Sequence, residues 1–241
     1  MDIIIGIPAR YGSSRFPGKP LAKLAGKPMI RHVIERALKA EAGPVVVATD
    51  DARIAEVATA AGAEACITRG DHTSGTERLA EAMQEKDCDV VINVQGDEPL
   101  IDPAAIRAVV APFNQEPYLP MATLAHPIQD QHALNDPNIV KVVCNDKGHA
   151  MYFSRAPIPF PRTAGSTALQ HVGLYAYRKE FLLRYASLDA CDAEKAEQLE
   201  QLRVLHHGYP IAVTIGDFSC IGVDTPEDLA RAEETLKNSA P

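Results

Sequence analysis

No stretch of this 241-residue chain approaches the roughly 20 consecutive apolar residues that a membrane helix needs. The apolar run at the start, IIIGI, is only a few residues long, which predicts no signal peptide. Cysteine is sparse and odd in number: Cys66, Cys88, Cys144, Cys191 and Cys220, with no C-x-x-C pair. That spacing argues against a zinc site or a disulfide framework and predicts a reducing, cytoplasmic setting. Positive charge is the minority sign, with 24 Lys and Arg against 32 Asp and Glu. A net charge of −8 argues against a general nucleic-acid or anionic-membrane partner. Neither an internal repeat nor a low-complexity tract interrupts the chain. Apolar residues make up 46%, enough for a full core, and we read residues 1–241 as one domain.

The scarce positive charge is unevenly placed. Residues 3–40 carry eight basic side chains against one acid, Glu35. A basic zone on an acidic body suits a small anionic ligand better than a long polyanion. For Lys23 to Lys39 a solvated helix face explains the charges equally well.

Apolar spacing alternates between two periods through the first half. Short runs such as IIIGI, PVVVATD, AEACIT and DVVINVQGD read as strands. Between them, apolar residues recur at helical spacing, as with Met29, Ile30, Val33, Ile34, Ala37 and Leu38. A second such segment, ARIAEVATAAG, ends at Gly62 as a helix stop. This rhythm predicts an α/β fold: a mainly parallel sheet with helices on both faces. From about Tyr118 the pattern shifts to strands joined by turns, which predicts a smaller antiparallel element. DAEKAEQLEQLRVLHHG reads as one helix closed by Gly208. In TPEDLARAEETLKN, Thr225 is placed to cap a final helix with Pro226 in its first turn.

Three stretches carry candidate chemistry. IPARYGSSRFPGKPL follows the first strand with Arg10, Arg15 and Lys19 among Gly12 and Gly18. Glycines let backbone N–H groups approach an anion, and cations complete the cradle. Pro20 stands where a P-loop would need Ser or Thr, so a P-loop NTPase is disfavoured. VINVQGDEP and GVDTPED each put an acid past a strand-like run, Asp97 and Asp224. Ligands of open α/β sheets sit beyond such strand ends, and two carboxylates there suit Mg²⁺. Singly, Asp97 could open a turn and Asp224 could cap the last helix. TRGDHTSGTERL offers His72, Ser74 and Thr76 to a base or ribose, or as helix caps.

Together these stretches resemble the 3-deoxy-manno-octulosonate (Kdo) cytidylyltransferase family. IPARYGSSRFPGKPL, VATDD, SGTERLAEA, VINVQGDEPLI, DPNIVKVV, AMYFSRAPIP, HVGLYAYR, LEQLRVLHHG and GVDTPEDL occur in the order that family uses. The likeness covers nearly the whole chain. It implies a Rossmann-like nucleotide-diphospho-sugar transferase fold and a cytoplasmic, Mg²⁺-dependent homodimer. Such an enzyme couples CTP to Kdo, releases pyrophosphate and serves lipopolysaccharide synthesis. Residue by residue, it implies that Arg10, Lys19, Asp97 and Asp224 are catalytic and that the two acids ligate Mg²⁺. CTP would be held by Ala9, Arg10, Gly12, Ser13, Arg15, Lys19, His72, Ser74, Thr76 and Arg78. Gln95, Arg155, His171, Tyr175, Glu200 and Gln201 would form the sugar side. Residues of roughly 118–180 would serve sugar binding and dimerisation, with 136–143 near the dimer interface. Locally, Arg155 also reads as a surface charge, His171 as a strand histidine and Tyr175 as a core aromatic. Glu194, Glu197 and Glu200 also read as a solvated acidic face. Two departures lie near the sugar side: a short segment before HVGLYAY, and Gln170 where a basic residue is common. Alternatives of different kinds are a cytidylyltransferase for 8-amino-Kdo or another acidic sugar, and a non-catalytic nucleotide-sugar sensor.

Overall fold

The computed structural model describes residues 1–12, 16–162, 167–218 and 222–238. By compactness the chain divides into Met1–Arg107 with Ser219–Pro241, and Ala108–Phe218.

The first unit begins with β1 (Ile3–Ala9), a small hairpin β2 (Lys23–Leu24) and β3 (Lys27–Pro28), and α1 (Met29–Lys39). Next come β4 (Val45–Thr49), α2 (Ala52–Ala60), β5 (Glu64–Ile67), α3 (Gly75–Met83), β6 (Val90–Asn93) and α4 (Pro103–Ala108). β1 pairs in parallel with both β4 and β6, and β5 pairs in parallel with β4. From β1 the chain moves outward through α1 and α2, then returns through α3 to β6 on the other side of β1. Right-handed crossovers therefore set α3 on the face opposite α1 and α2. Burial on both faces is why β4 reads as an unbroken apolar run, with all five residues buried. The reversal of strand order brings the loops after β1 and β6 side by side, where such sheets take ligands.

α1 buries Met29, Ile30, Val33, Ile34 and Ala37 as the spacing requires. Leu38 departs from that pattern: it is exposed, at the edge of the stripe beside Gly62. Gly62 stops α2 as expected, with φ +92° and its N–H donating to the Thr59 carbonyl at 3.1 Å.

The second unit contains α5 (Pro112–Gln115), β7 (Met121–Pro127), α6 (Gln131–Asn135), β8 (Lys141–Cys144), β9 (Ala150–Ser154) and β10 (Leu169–Arg178). It continues with α7 (Lys179–Tyr185), α8 (Asp192–Glu197), α9 (Gln201–His206) and β11 (Ile211–Ile215). β10 runs antiparallel to β7 and β8, and β8 antiparallel to β9; β11 joins β7 in parallel. The antiparallel element expected after Tyr118 is present.

The single helix expected over residues 192–208 is two helices. Gln198 takes a left-handed conformation, φ 53°, and ends α8. Glu194 is the cause visible in the packing. It is buried, and its carboxylate accepts two hydrogen bonds from Arg203 of α9, at 2.6 and 2.9 Å. A continuous helix sets residues nine apart on different faces, two and a half turns distant. The break lets them meet. Glu194 is thus no part of a solvated acidic face, and Glu197 accepts from Ser154 and the Arg155 backbone N–H at 2.6 and 2.9 Å.

The chain then returns to the first unit with α10 (Pro226–Asn238). Thr225 Oγ1 accepts the Asp228 N–H at 3.2 Å, and the Asp228 carboxylate accepts the Thr225 N–H at 2.9 Å. This reciprocal cap fixes where the helix starts. Ala232, Leu229 and Leu236 pack α10 on Leu24, Met29, Leu100 and Val223. That apolar seam draws the chain's end onto the loops after β1 and β6.

Candidate active site

The loop after β1 is built to present charge. Ala9 is buried at the strand end, whereas Arg10 and Gly12 are exposed. Apart from its chain neighbours, no atom of the described residues lies within 4 Å of where a Gly12 side chain would begin. Ser13 and Arg15, both expected at the nucleotide, lie outside the described residues. Gly18 is left-handed, φ +73°, and its N–H donates to the Tyr11 carbonyl at 3.0 Å. That turn leads into a single 3-10 turn, Lys19–Leu21, anchored by buried Pro20.

Lys19 Nζ is held by three acceptors. Asp97 Oδ2 lies at 2.7 Å, the Val223 carbonyl oxygen at 2.8 Å and Asp224 Oδ1 at 3.2 Å. An ammonium has three donors, and all three are used. The backbone completes the approach: the Val223 N–H donates to the Asp97 carbonyl at 2.9 Å. Gly96 allows the β6 loop to close on β1, because a side chain there would begin 2.7 Å from the Pro8 carbonyl oxygen. Asp97 and Asp224 are therefore adjacent despite their separation in sequence. Thr225 supplies the hydroxyl cap of α10, while Asp224 Oδ1 accepts from Lys19.

Arg78 is almost wholly buried rather than open to a base. It donates to Thr68 Oγ1 at 2.6 Å, the Arg69 carbonyl at 3.2 Å and Asp50 Oδ2 at 2.9 Å. Asp50 Oδ1 in turn faces the Tyr11 N–H at 3.5 Å. Arg53 lies over the Tyr11 ring, 3.9 Å from its centre, and pairs with Asp51. Arg78 was singled out from the sequence for the nucleotide, but the other supports of the opening loop, Asp50, Asp51 and Arg53, were not; "VATDD" held the acids, and nothing local told which backbone they would meet. His72 Nε2 sits 2.6 Å from Glu81 Oε2. Burial works to raise the Glu81 carboxyl, but hydrogen bonds from Arg69 and His72 outweigh it and hold the group at about 2. Ser74 Oγ caps α3 by accepting the Glu77 N–H at 3.2 Å. Thr76 is buried in the first turn. The Gln95 amide oxygen lies 3.6 Å from where a Gly75 side chain would start, so Gln95 faces the start of α3.

The other expected sugar-side residues all lie in the second unit. His171 Nε2 is 2.9 Å from Thr123 Oγ1. Thr123 has one proton, within reach of the carbonyls of Val172 and Leu174 at 3.2 and 2.8 Å. His171 therefore donates from Nε2 and is an acceptor at Nδ1. Burial lowers its pKa to about 3, so the ring is neutral. Tyr175 lies against it, ring centres 5.4 Å apart, and burial pushes the phenol well above its ordinary value. Gln201 is buried, and its Nε2 has no partner among the described residues. Glu200 is exposed and precedes α9, with the Tyr185 hydroxyl 3.4 Å from its carboxylate. Arg155 donates to the carbonyls of Glu197 and Pro137 at 2.8 and 3.0 Å.

A protein-family model described as "Cytidylyltransferase" matches residues 3–215. A 3-deoxy-manno-octulosonate cytidylyltransferase from Syntrophotalea carbinolica is 51% identical over 248 aligned positions, covering 98% of this chain and 99% of that protein. One from Solibacter usitatus is 49% identical, covering 97% and 94%. A solved structure of a CMP:2-keto-3-deoxy-manno-octonic acid synthetase complexed with CTP superposes with a TM-score of 0.94 at 45% identity, covering all of both chains. A 4-diphosphocytidyl-2C-methyl-D-erythritol synthase from Anaerococcus prevotii shares the fold, with a TM-score of 0.64 at 14% identity.

Proposed function

The chain belongs to the cytidylyltransferase family, and from that membership we propose that it transfers CMP from CTP to Kdo and releases pyrophosphate. The observation that carries this reading in the geometry is the convergence of Asp97 and Asp224 on one cationic centre beside the loop after β1. A sensor without chemistry has no need of two carboxylates held together against their mutual repulsion. The relatives carry the Kdo name, which favours Kdo over its 8-amino analogue.

In this reading the anomeric hydroxyl oxygen attacks the α-phosphorus and gives up its proton to solvent. The bond to the bridging oxygen breaks, and pyrophosphate leaves with the electron pair. Both substrates are anions, so the chain must offset their repulsion. Arg10, Arg15 and Lys19 hold the phosphates, and the exposed glycine loop lets backbone N–H groups approach them. Asp50 and Arg78 keep that loop at the strand end. Gln95, Arg155, His171, Tyr175, Glu200 and Gln201 form the sugar side, where neutral His171 offers an acceptor and no charge. Asp97 and Asp224 fit Mg²⁺: they are hard oxygen donors already directed at a cation, the Lys19 ammonium, and two carboxylates leave positions for phosphate and water. Bound there, Mg²⁺ supplies a Lewis acid that draws charge from the phosphate oxygens. Residues of roughly 118–180 serve sugar binding and a homodimer, with 136–143 near its interface. Among the described residues no helix is long and apolar enough to cross a membrane. A cytoplasmic enzyme activating Kdo for lipopolysaccharide synthesis fits the family.

The test is pyrophosphate release with CTP, ATP, GTP or UTP, each with Kdo or 8-amino-Kdo, with and without Mg²⁺. Turnover is expected with CTP, Kdo and Mg²⁺ together. CTP turnover on 8-amino-Kdo alone would overturn the choice of sugar, and no release with any pair would favour a sensor.

A further inference from the structure

Lys19 faces two demands. Its place in the opening loop suits the phosphates, yet its ammonium rests on the acid pair. We propose that Lys19 is an internal counter-cation which occupies the Asp97–Asp224 pair until nucleotide draws it away, so that divalent-ion binding is coupled to CTP binding. The proposal rests on the reading of those acids as the metal ligands. Three observations carry it.

The first is occupancy. All three ammonium donors are spent on Asp97 Oδ2, Asp224 Oδ1 and the Val223 carbonyl, and only 12% of the Lys19 side chain is exposed. A divalent ion ligated by both carboxylates would stand within a few ångströms of that ammonium. Two cations cannot share the pair without strong repulsion.

The second is the contrast between root and tip. The backbone at Lys19 is fixed by left-handed Gly18, by buried Pro20 and by the Ala22 N–H donating to the Lys19 carbonyl. The four-carbon stem beyond it is flexible. Nζ can therefore change partners without moving the loop.

The third is the supply of a second partner. The stretch carrying Lys19 also carries Arg10 and exposed Gly12, the residues expected to meet phosphate. A triphosphate there offers the ammonium an anion equal to the one it leaves. Coupling is reciprocal, so the factor by which CTP tightens the ion is the factor by which the ion tightens CTP.

Mn²⁺ is the probe, its free concentration read by electron paramagnetic resonance, with no acceptor sugar present. Wild type, Lys19→Met, Lys19→Met/Asp97→Asn and Lys23→Met are titrated with and without CTP. Lys19→Gln replaces Lys19→Met if thermal melting shows the latter unfolded. If the acids are free of lysine about a tenth of the time, neutralising Lys19 tightens Mn²⁺ binding without nucleotide by about tenfold. CTP is then expected to raise Mn²⁺ affinity by a larger factor in wild type than in Lys19→Met. Lys23, an exposed cation close by in the chain, controls for general charge and is expected to leave Mn²⁺ affinity unchanged. Mn²⁺ binding no tighter in Lys19→Met than in wild type overturns the proposal, as does an equal gain from Lys23→Met. A gain in Lys19→Met that survives Asp97→Asn overturns instead the assignment of the metal to these acids.

Discussion

Thr225 caps α10 through its hydroxyl, and its neighbour Asp224 turns to Lys19. Adjacent substitutions should therefore separate stability from chemistry. Thr225→Ala removes an N-cap and is expected to cost about 0.5–2 kcal/mol in urea unfolding, with kcat retained at saturating Mg²⁺. Asp224→Asn keeps shape and loses charge. It should unfold like wild type, need more Mg²⁺ for half-maximal rate and lose on the order of 10²–10³ in kcat. A stability loss without a rate loss for Asp224→Asn would return that carboxylate to a structural role. His171 makes a prediction of another kind. Its folded pKa, about 3, is depressed from 6.5 by burial. Above pH 6.5 neither state is protonated and the ring has no effect on pH dependence. As pH falls below 6.5 the unfolded chain takes a proton that the folded chain refuses, so stability is lost through the window from 6.5 towards 3. Between pH 6.5 and about pH 5 that loss should reach roughly 2 kcal/mol. Urea unfolding at both pH values checks it: His171→Asn should lose that much less than wild type over the interval.

At the scale of elements, α8 and α9 show where reading a sequence stops. The apolar and acidic spacing of residues 192–208 is helical throughout, and no proline or glycine interrupts it before Gly208. The break at Gln198 comes from a tertiary partner: Arg203 reaches back to Glu194, both side chains largely buried at 14% and 11% exposure. No local signal announces a buried ion pair. Where the cause was local, the reading succeeded. Gly62 stopped α2, Thr225 capped α10, and the turn-joined β8 and β9 paired antiparallel. The site divides in the same way. Acids beyond apolar runs are visible as residue types, so Asp97 and Asp224 could be singled out. Asp97 does lie in the loop after β6, but β11 ends at Ile215, well short of Asp224, which is placed by the contacts of Val223 instead. That the two acids would meet on Lys19, and that Asp50 would hold Arg78, depends on contacts far apart in the chain. The Arg203–Glu194 pair is open to direct test. Arg203→Ala leaves a buried carboxylate unpaired and should cost about 3–5 kcal/mol in urea unfolding. Arg203→Met with Glu194→Leu removes both charges and should recover most of that loss. Equal instability of the single and double variants would mean that packing, not charge, joins the two helices.

At the scale of the whole molecule, the first unit is assembled from both ends of the chain, Met1–Arg107 and Ser219–Pro241. What holds the ends together is apolar: α10 lays Ala232, Leu229 and Leu236 over Leu24, Met29, Leu100 and Val223. The polar consequence lies one residue away, because Val223 sits in that seam while its carbonyl and the neighbouring Asp224 meet Lys19. Asp97 comes from the loop after β6 and needs no help from α10. The acid pair should thus fail from one side only when the seam is loosened. Ala232 is fully buried, so Ala232→Asp places a carboxylate against the seam without touching any charged residue of the site. An unpaired buried charge drives α10 outward. Amide exchange should rise across α10 and the β2–β3 hairpin and stay low in β1, β4 and β6. If Asp224 holds Mg²⁺ as proposed, Mg²⁺ for half-maximal rate should rise as expected for Asp224→Asn, and combining the two substitutions should add little, since both act on the same carboxylate. Ala232→Leu, apolar but too large, should give a milder form of the same result. If Ala232→Asp loosens α10 by exchange and leaves the Mg²⁺ dependence unchanged, the seam does not position Asp224.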